Sequence, residues 1–97
     1  MGLSGFNELI HAPNRLQICA LLVVTAEMEF KAVKLQLNVS DSVLSKHMKA
    51  LVGAGYIAQI KRTRNGRPCT WFSITEEGRQ QFEAHVKALR EIVGVGP

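Results

Sequence analysis

The chain has 97 residues, 29 of them Leu, Ile, Val or Phe; that is room for one folded domain, with an apolar share well above the roughly 20% below which chains stay disordered. Its longest apolar run is the seven residues Ile18–Val24, where a membrane-crossing helix needs about 18 or more, and Phe6 stands where an N-myristoylation pattern wants Ser or Thr, so a soluble cytoplasmic protein with no membrane partner is expected. The net charge of +4 is unevenly spread: residues 31–67 carry eight basic side chains against Asp41 alone, and such a block on a folded domain points to a polyanion.

In chain order, Phe6, Leu9 and Ile10 are spaced for one face of a helical arm that begins near Leu3. Pro13 suits the first turn of the next helix, and Arg15–Val24 reads as a helix apolar almost all round, hence a buried one. Cys19 within it acts as a small hydrophobe. Thr25–Glu29 is a polar break with room for a strand residue or two. Phe30, Val33 and Leu37 then repeat at helical spacing in a short helix that Asn38 stops. Ser40 is a good N-cap for a third helix running to about Val52, with Asp41 at the positive end of its dipole. In that helix Leu44, Met48 and Leu51 form an apolar stripe, whereas Ser42, Ser45, Lys46 and Lys49 form a polar stripe on another face. His47 lies beside the polar stripe, placed for packing or a phosphate rather than a metal.

Gly53 and Gly55 end the third helix, and a strand with Tyr56, Ile57 and Ile60 follows. Asn65-Gly66 signals a type I′ hairpin, whose two central residues both need positive φ, and Thr70–Ile74 supplies the returning strand. Of its neighbours Trp71 and Phe72, which face opposite ways, only one need be buried. Thr75 caps a last helix over residues 76–93, with Glu76 and Glu77 in its first turn. Phe82, Val86, Leu89 and Val93 lie along one face of it, for the core, and Ala84, Ala88 and Ile92 form a second apolar line. His11 and His85 are isolated and carry no argument.

A helix-turn-helix followed by a hairpin with a basic tip is the layout of a winged helix. The stretches HAPNRLQICALL, VSDSVLSKHMKALVGAGYI, KRTRNGRPCTWFSIT and TEEGR resemble the MarR and ArsR superfamily of small transcription regulators, in its short type without added ligand-binding elements. The resemblance covers roughly residues 7–92, and its most specific piece is S-x-S-x-L-S-K-H-x-K-x-L-x-x-x-G-Y. It implies a mainly α fold with a small β-hairpin: four to five helices and a two- or three-stranded wing in one domain over residues 1–97. It also implies sequence-specific binding of double-stranded DNA as a homodimer and a role as repressor, with the helix of residues 40–52 in the major groove and the wing of residues 57–74 at the minor groove. The metal-sensing ArsR members carry a Cys-x-Cys pair ahead of the recognition helix; EFKAVKLQLNVSDS has no cysteine, which excludes that motif.

The residue types fit those jobs. Lys46 and Lys49 can pair with phosphate or guanine acceptors, and Ser42 and Ser45 can donate to either. Arg62, Arg64 and Arg67, with Asn65 between the last two, suit a narrow, electronegative minor groove. Lys31, Lys34 and Lys61 extend the phosphate contacts. The polar stripe has no Arg, Asn or Gln, the side chains of the sharpest base contacts, so specificity leans on the wing and on DNA shape. For the dimer, the N-terminal Phe6, Leu9 and Ile10 join Ala84, Ala88, Leu89 and Ile92 of the last helix, and an effector, whose identity the sequence leaves open, would sit between helices at that interface. No cofactor is called for. There is no Gly-rich phosphate loop, nucleophile elbow or HExxH, so an enzyme is not expected. The alternatives are a winged-helix module that binds protein, which predicts a neutral recognition face and an uncharged wing, and a non-specific architectural DNA-binding protein, which the same charges support.

Overall fold

The computed structural model describes residues 4–94. Local signals set most of the elements. α1 (Glu8–His11) is a single turn capped by Asn7, whose Oδ1 accepts from the Ile10 N–H at 3.0 Å. The arm is thus shorter than its apolar spacing suggests, because Gly5 takes a φ of +88° and ends any helix there; Leu3 lies outside the described residues. α2 (Arg15–Thr25) starts two residues beyond Pro13, which sits in a turn closed by the Arg15 N–H on the Ala12 carbonyl instead of in the first helical turn. β1 (Glu27–Glu29) and α3 (Phe30–Leu37) follow, and Asn38 stops α3 in the left-handed region at φ 55°, ψ 52°.

Ser40 caps α4 (Asp41–Gly53) by accepting from the Val43 N–H at 3.2 Å, and Gly55 turns the chain out at φ +81°. β2 (Ile57–Arg64) and β3 (Arg67–Ile74) form the hairpin in register Arg64↔Arg67, with Asn65 and Gly66 at φ 52° and 76° as a two-residue I′ turn requires. β1 adds to the other edge of β3, giving a three-stranded antiparallel sheet of order β1-β3-β2. α5 (Glu76–Ile92) is capped by the Thr75 hydroxyl, which accepts from the Gly78 N–H at 2.9 Å.

α2, α3, α4 and the inner sheet face enclose one core of buried apolar side chains, centred on Ile18, Leu22, Val33, Leu44, Leu51 and Phe72. Cys19 is wholly buried, and desolvation pushes its thiol up to about 11, which keeps it protonated and inert. Phe72 is the buried member of the aromatic pair and Trp71 is half-buried. The face that α5 turns inward is only partly the expected one: Phe82 packs on the core as its spacing requires, but the buried line is rotated toward Ala88. Gly78, His85 and Ala88 are buried along it, Phe82 is half-buried, and Val93 is 67% exposed.

The N-terminal segment explains this choice of face. It crosses α5 at Ala84, and its Phe6 ring packs on both His11 and His85. The Asn7 N–H donates to Nδ1 of His85 at 2.9 Å, so the neutral ring's proton is on Nε2, facing Nδ1 of His11 at 3.2 Å. Asn7 Nδ2 donates to the Tyr56 hydroxyl and to Gln81. A polar cluster thus ties α1, α5 and the approach to β2, where a sequence reading has only apolar spacing to go on. No helix among the described residues is long and apolar enough to cross a membrane.

Candidate nucleic-acid interface

α4 is amphipathic in the sense its sequence requires. Leu44, Met48 and Leu51 are buried at 0%, 2% and 0%, while Ser42, Ser45, Lys46 and Lys49 are all exposed on the face turned away from the core. Nothing among the described residues covers that stripe. Ser42 Oγ lies 3.2 Å from Ser40 Oγ, so the cap and the first residue of the stripe share one hydrogen bond. On the flank of α4 nearest the wing, a hollow of about 710 Å³ opens over Phe30, Met48, Val52 and Phe72, with Lys31 and Lys49 at its rim and Cys69 in its wall.

The opposite flank holds His47, half-buried, with Nδ1 enclosed and no partner among the described residues; Arg15 Nε is in the same position. Burial, then the charges of Arg15 and Lys46, lower the His47 pKa, which favours the neutral ring at physiological pH. Sequence reasoning missed Arg15, because its neighbourhood with His47 depends on how α2 crosses α4.

The basic side chains divide into two groups. Lys31, Lys46, Lys49 and Arg67 are exposed and have no carboxylate partner among the described residues, and Lys61 Nζ reaches only the Thr70 hydroxyl at 3.3 Å. Asn65 is exposed at the hairpin tip. Lys34, by contrast, is ion-paired with Asp41, which therefore does more than sit at the helix dipole. Arg62 pairs with Glu27 at 2.6 Å and also lies over the Trp71 ring, 4.8 Å from its centroid. Arg64 pairs with Glu29 at 2.7 Å. The two glutamates were not singled out from the sequence; the alternation Glu27-Met28-Glu29, apolar in the middle, is the strand signal that marks them.

The residues expected at a dimer face are also divided. Ile10 and Ala88 are wholly buried in this chain, which corrects their assignment: both are core positions, filled by the packing of α1 on α5. Phe6 and Ala84 are spent on the same intrachain contact. Leu9 and Leu89 are half-buried, and Ile92 is 50% exposed because the last turn of α5 runs past the core. Ile92, Val93 and the open side of Leu89 make an apolar helix end.

A capped helix-turn-helix that exposes a Ser/Lys face beside a basic hairpin is a winged-helix architecture. The sequence matches the winged helix DNA-binding domain family over residues 14–93, and the chain belongs to that family. It is 31% identical over 87 residues, 90% of each chain, to an uncharacterised protein of Methanocaldococcus jannaschii. Among solved structures it is similar to a transcriptional regulator homologue from Pyrococcus horikoshii, with a TM-score of 0.85, 22% identity, and coverage of 91% of this chain and 87% of that one. It is also similar to NadR in complex with 4-hydroxyphenylacetate, at TM-score 0.73, 19% identity and coverage of 91% and 62%. A possible transcriptional regulator for arsenical resistance matches at TM-score 0.70, 20% identity and 99% of both chains. The family is that of winged-helix DNA-binding domains, and the likeness to these solved structures shows the same fold.

Proposed function

We propose that this chain is a cytoplasmic homodimeric repressor that binds double-stranded DNA sequence-specifically, with α4 in the major groove and the β2–β3 hairpin along the adjacent minor groove. The observation that carries this reading is the uncovered stripe of Ser42, Ser45, Lys46 and Lys49 opposite the buried Leu44, Met48 and Leu51. Hydroxyls and ammonium groups on an exposed helix face fit base edges and phosphate, and a neutral face would be needed for the protein-binding alternative. Lys31 and Lys61 serve phosphates, and Asn65 and Arg67 lead at the hairpin tip. Lys34, Arg62 and Arg64 reach DNA only by leaving their carboxylates.

Dimerisation through the apolar end of α5 would set two copies of α4 about one DNA turn, roughly 34 Å, apart, matching a palindrome. An effector would act at that interface. The reading is tested by replacing Lys46 and Lys49 with Ala and measuring DNA affinity against salt. Each lost phosphate contact is expected to lower the slope of log K against log salt by about 0.9. Unchanged affinity and slope in the double variant would exclude α4 from the interface.

A further inference from the structure

The two ion pairs on the wing share a geometry that ordinary hairpin packing does not demand. On the outer face of the sheet, β3 runs between the arginines of β2 and the glutamates of β1. Arg62 is in register with Cys69, but its partner Glu27 is in register with Ser73; Arg64 is in register with Arg67, but its partner Glu29 is in register with Trp71. Both pairs therefore span the same offset of four residues along β3, about 13 Å at 3.3 Å per residue. The arginines are folded back from the tip toward the base of the wing, Arg62 across the Trp71 ring. A side chain extended toward DNA would point the other way.

Chemically, a carboxylate offers an arginine much of what a phosphate does: two oxygens and a negative charge, met by the same planar fork of donors. We propose that Glu27 and Glu29 are internal stand-ins for phosphate, which hold Arg62 and Arg64 off the DNA and set the affinity of the wing. The proposal rests on the reading above that the wing meets DNA. Its consequence is selective. A lone phosphate on arbitrary DNA must compete with a carboxylate already in place, whereas a narrow minor groove concentrates enough negative potential to draw the arginines out. The glutamates thus suppress non-specific binding more than specific binding.

The two pairs differ in exposure. The Glu29 side chain is 12% exposed against 60% for Arg64, while Glu27 and Arg62 are 38% and 40% exposed. Exposed pairs are weakly held, so the Glu27 carboxylate is the weaker tether, and the Trp71 ring still holds Arg62 back when that pair opens. Arg64 leaves behind a shielded carboxylate that water reaches poorly, which makes Glu29 the stronger tether of the two. Neutralising Glu29 therefore has the larger effect.

The test is a salt titration of binding to a short mixed-sequence DNA duplex by the full chain and by E27Q, E29Q and the double variant. Gln keeps the shape and removes the charge, and thermal melts check that each variant folds. The double variant is expected to bind more tightly at low salt and to steepen the slope of log K against log salt by up to about 1.8, or 0.9 per arginine released, with E29Q contributing more than E27Q. Adding R62A and R64A to the double variant should return the slope to that of the unmodified chain. E83Q, which removes the same charge from α5, should leave the slope as it was. A steeper slope that survives the arginine replacements, or that E83Q reproduces, would reduce the effect to net charge and overturn the proposal. An unchanged or shallower slope in the double variant overturns it too, and R67A then separates the two readings: if R67A lowers the slope, the wing binds DNA and the glutamates merely brace it. If R67A also has no effect, the wing reading itself is wrong.

Discussion

No side chain fits at Gly78. A Cβ there would lie 2.0 Å from the Tyr56 carbonyl oxygen and 2.8 Å from its carbon, both backbone atoms that cannot swing away. The same carbonyl accepts from the Thr75 N–H, so the α5 cap and the approach to β2 are locked at one point. Gly78→Ala is expected to destabilise the fold by about 1–3 kcal/mol, the usual cost of forcing atoms into a packed site, despite the better helix propensity of Ala. An unchanged urea midpoint would show that α5 does not approach Tyr56 this closely. His85 makes a prediction of a different kind. Burial, then the neighbouring His11, lower its pKa, and protonating Nδ1 would oppose the Asn7 N–H. The unfolded chain therefore binds more protons than the folded one below its ordinary pKa of about 6.5, so stability is full above that pH and falls as the pH drops toward the folded value. His47 is shifted the same way and adds to the effect. Urea midpoints at about pH 7.5 and about pH 5.5 should show the loss, and His85→Gln should reduce it; a pH-independent midpoint would contradict the buried neutral ring. Neither role was legible in the sequence. Gly78 and His85 owe their importance to partners 22 and 74 to 78 positions away, and no local pattern marks such pairings.

The elements were legible where their signals are local. Ser40 after Asn38, the Leu44/Met48/Leu51 stripe, Asn65-Gly66 and Thr75 each act within a few residues, and the helix-turn-helix and hairpin appear where those residues put them. β1 was visible only as a break with strand potential, because its three residues become a strand by pairing with β3, more than forty positions on. α5 was read in part: Phe82 packs on the core as its spacing requires, while Val93 does not. Its apolar residues allow two faces, and the choice was made by Phe6, Asn7 and Ile10 packing from the N-terminal side. The polar His85 thus lies inside while Val93 lies outside. This reassignment also narrows the proposed dimer contact to the end of α5. Ile92→Glu places a charge at a half-exposed position with little to disturb in the chain's own core, and it should convert a dimer to monomer in sedimentation while the far-UV circular dichroism of the folded chain is kept. A dimer that persists would locate the interface elsewhere, such as the exposed Val24 and Leu35 of α2 and α3.

Taken together, the chain has a positive face divided between free and tethered cations. Lysines on α4 and Arg67 at the wing tip are available at once, while Lys34, Arg62 and Arg64 are held by Asp41, Glu27 and Glu29. The sequence displayed the surplus of charge between residues 31 and 67 but not its partition, since two of the three acids lie outside that block in sequence and cross over it through the sheet. A DNA-binding domain whose wing arginines are tethered in the proposed way should bind arbitrary DNA weakly and its own sites strongly. Selection of bound fragments from the source organism's genomic DNA, sequenced and repeated at two salt concentrations, tests this most directly. The expected result is enrichment, at both salts, of an inverted repeat whose half-sites are centred about 10 base pairs apart. Binding without enrichment that vanishes at the higher salt, or no binding at either, would contradict a dimeric sequence-specific regulator.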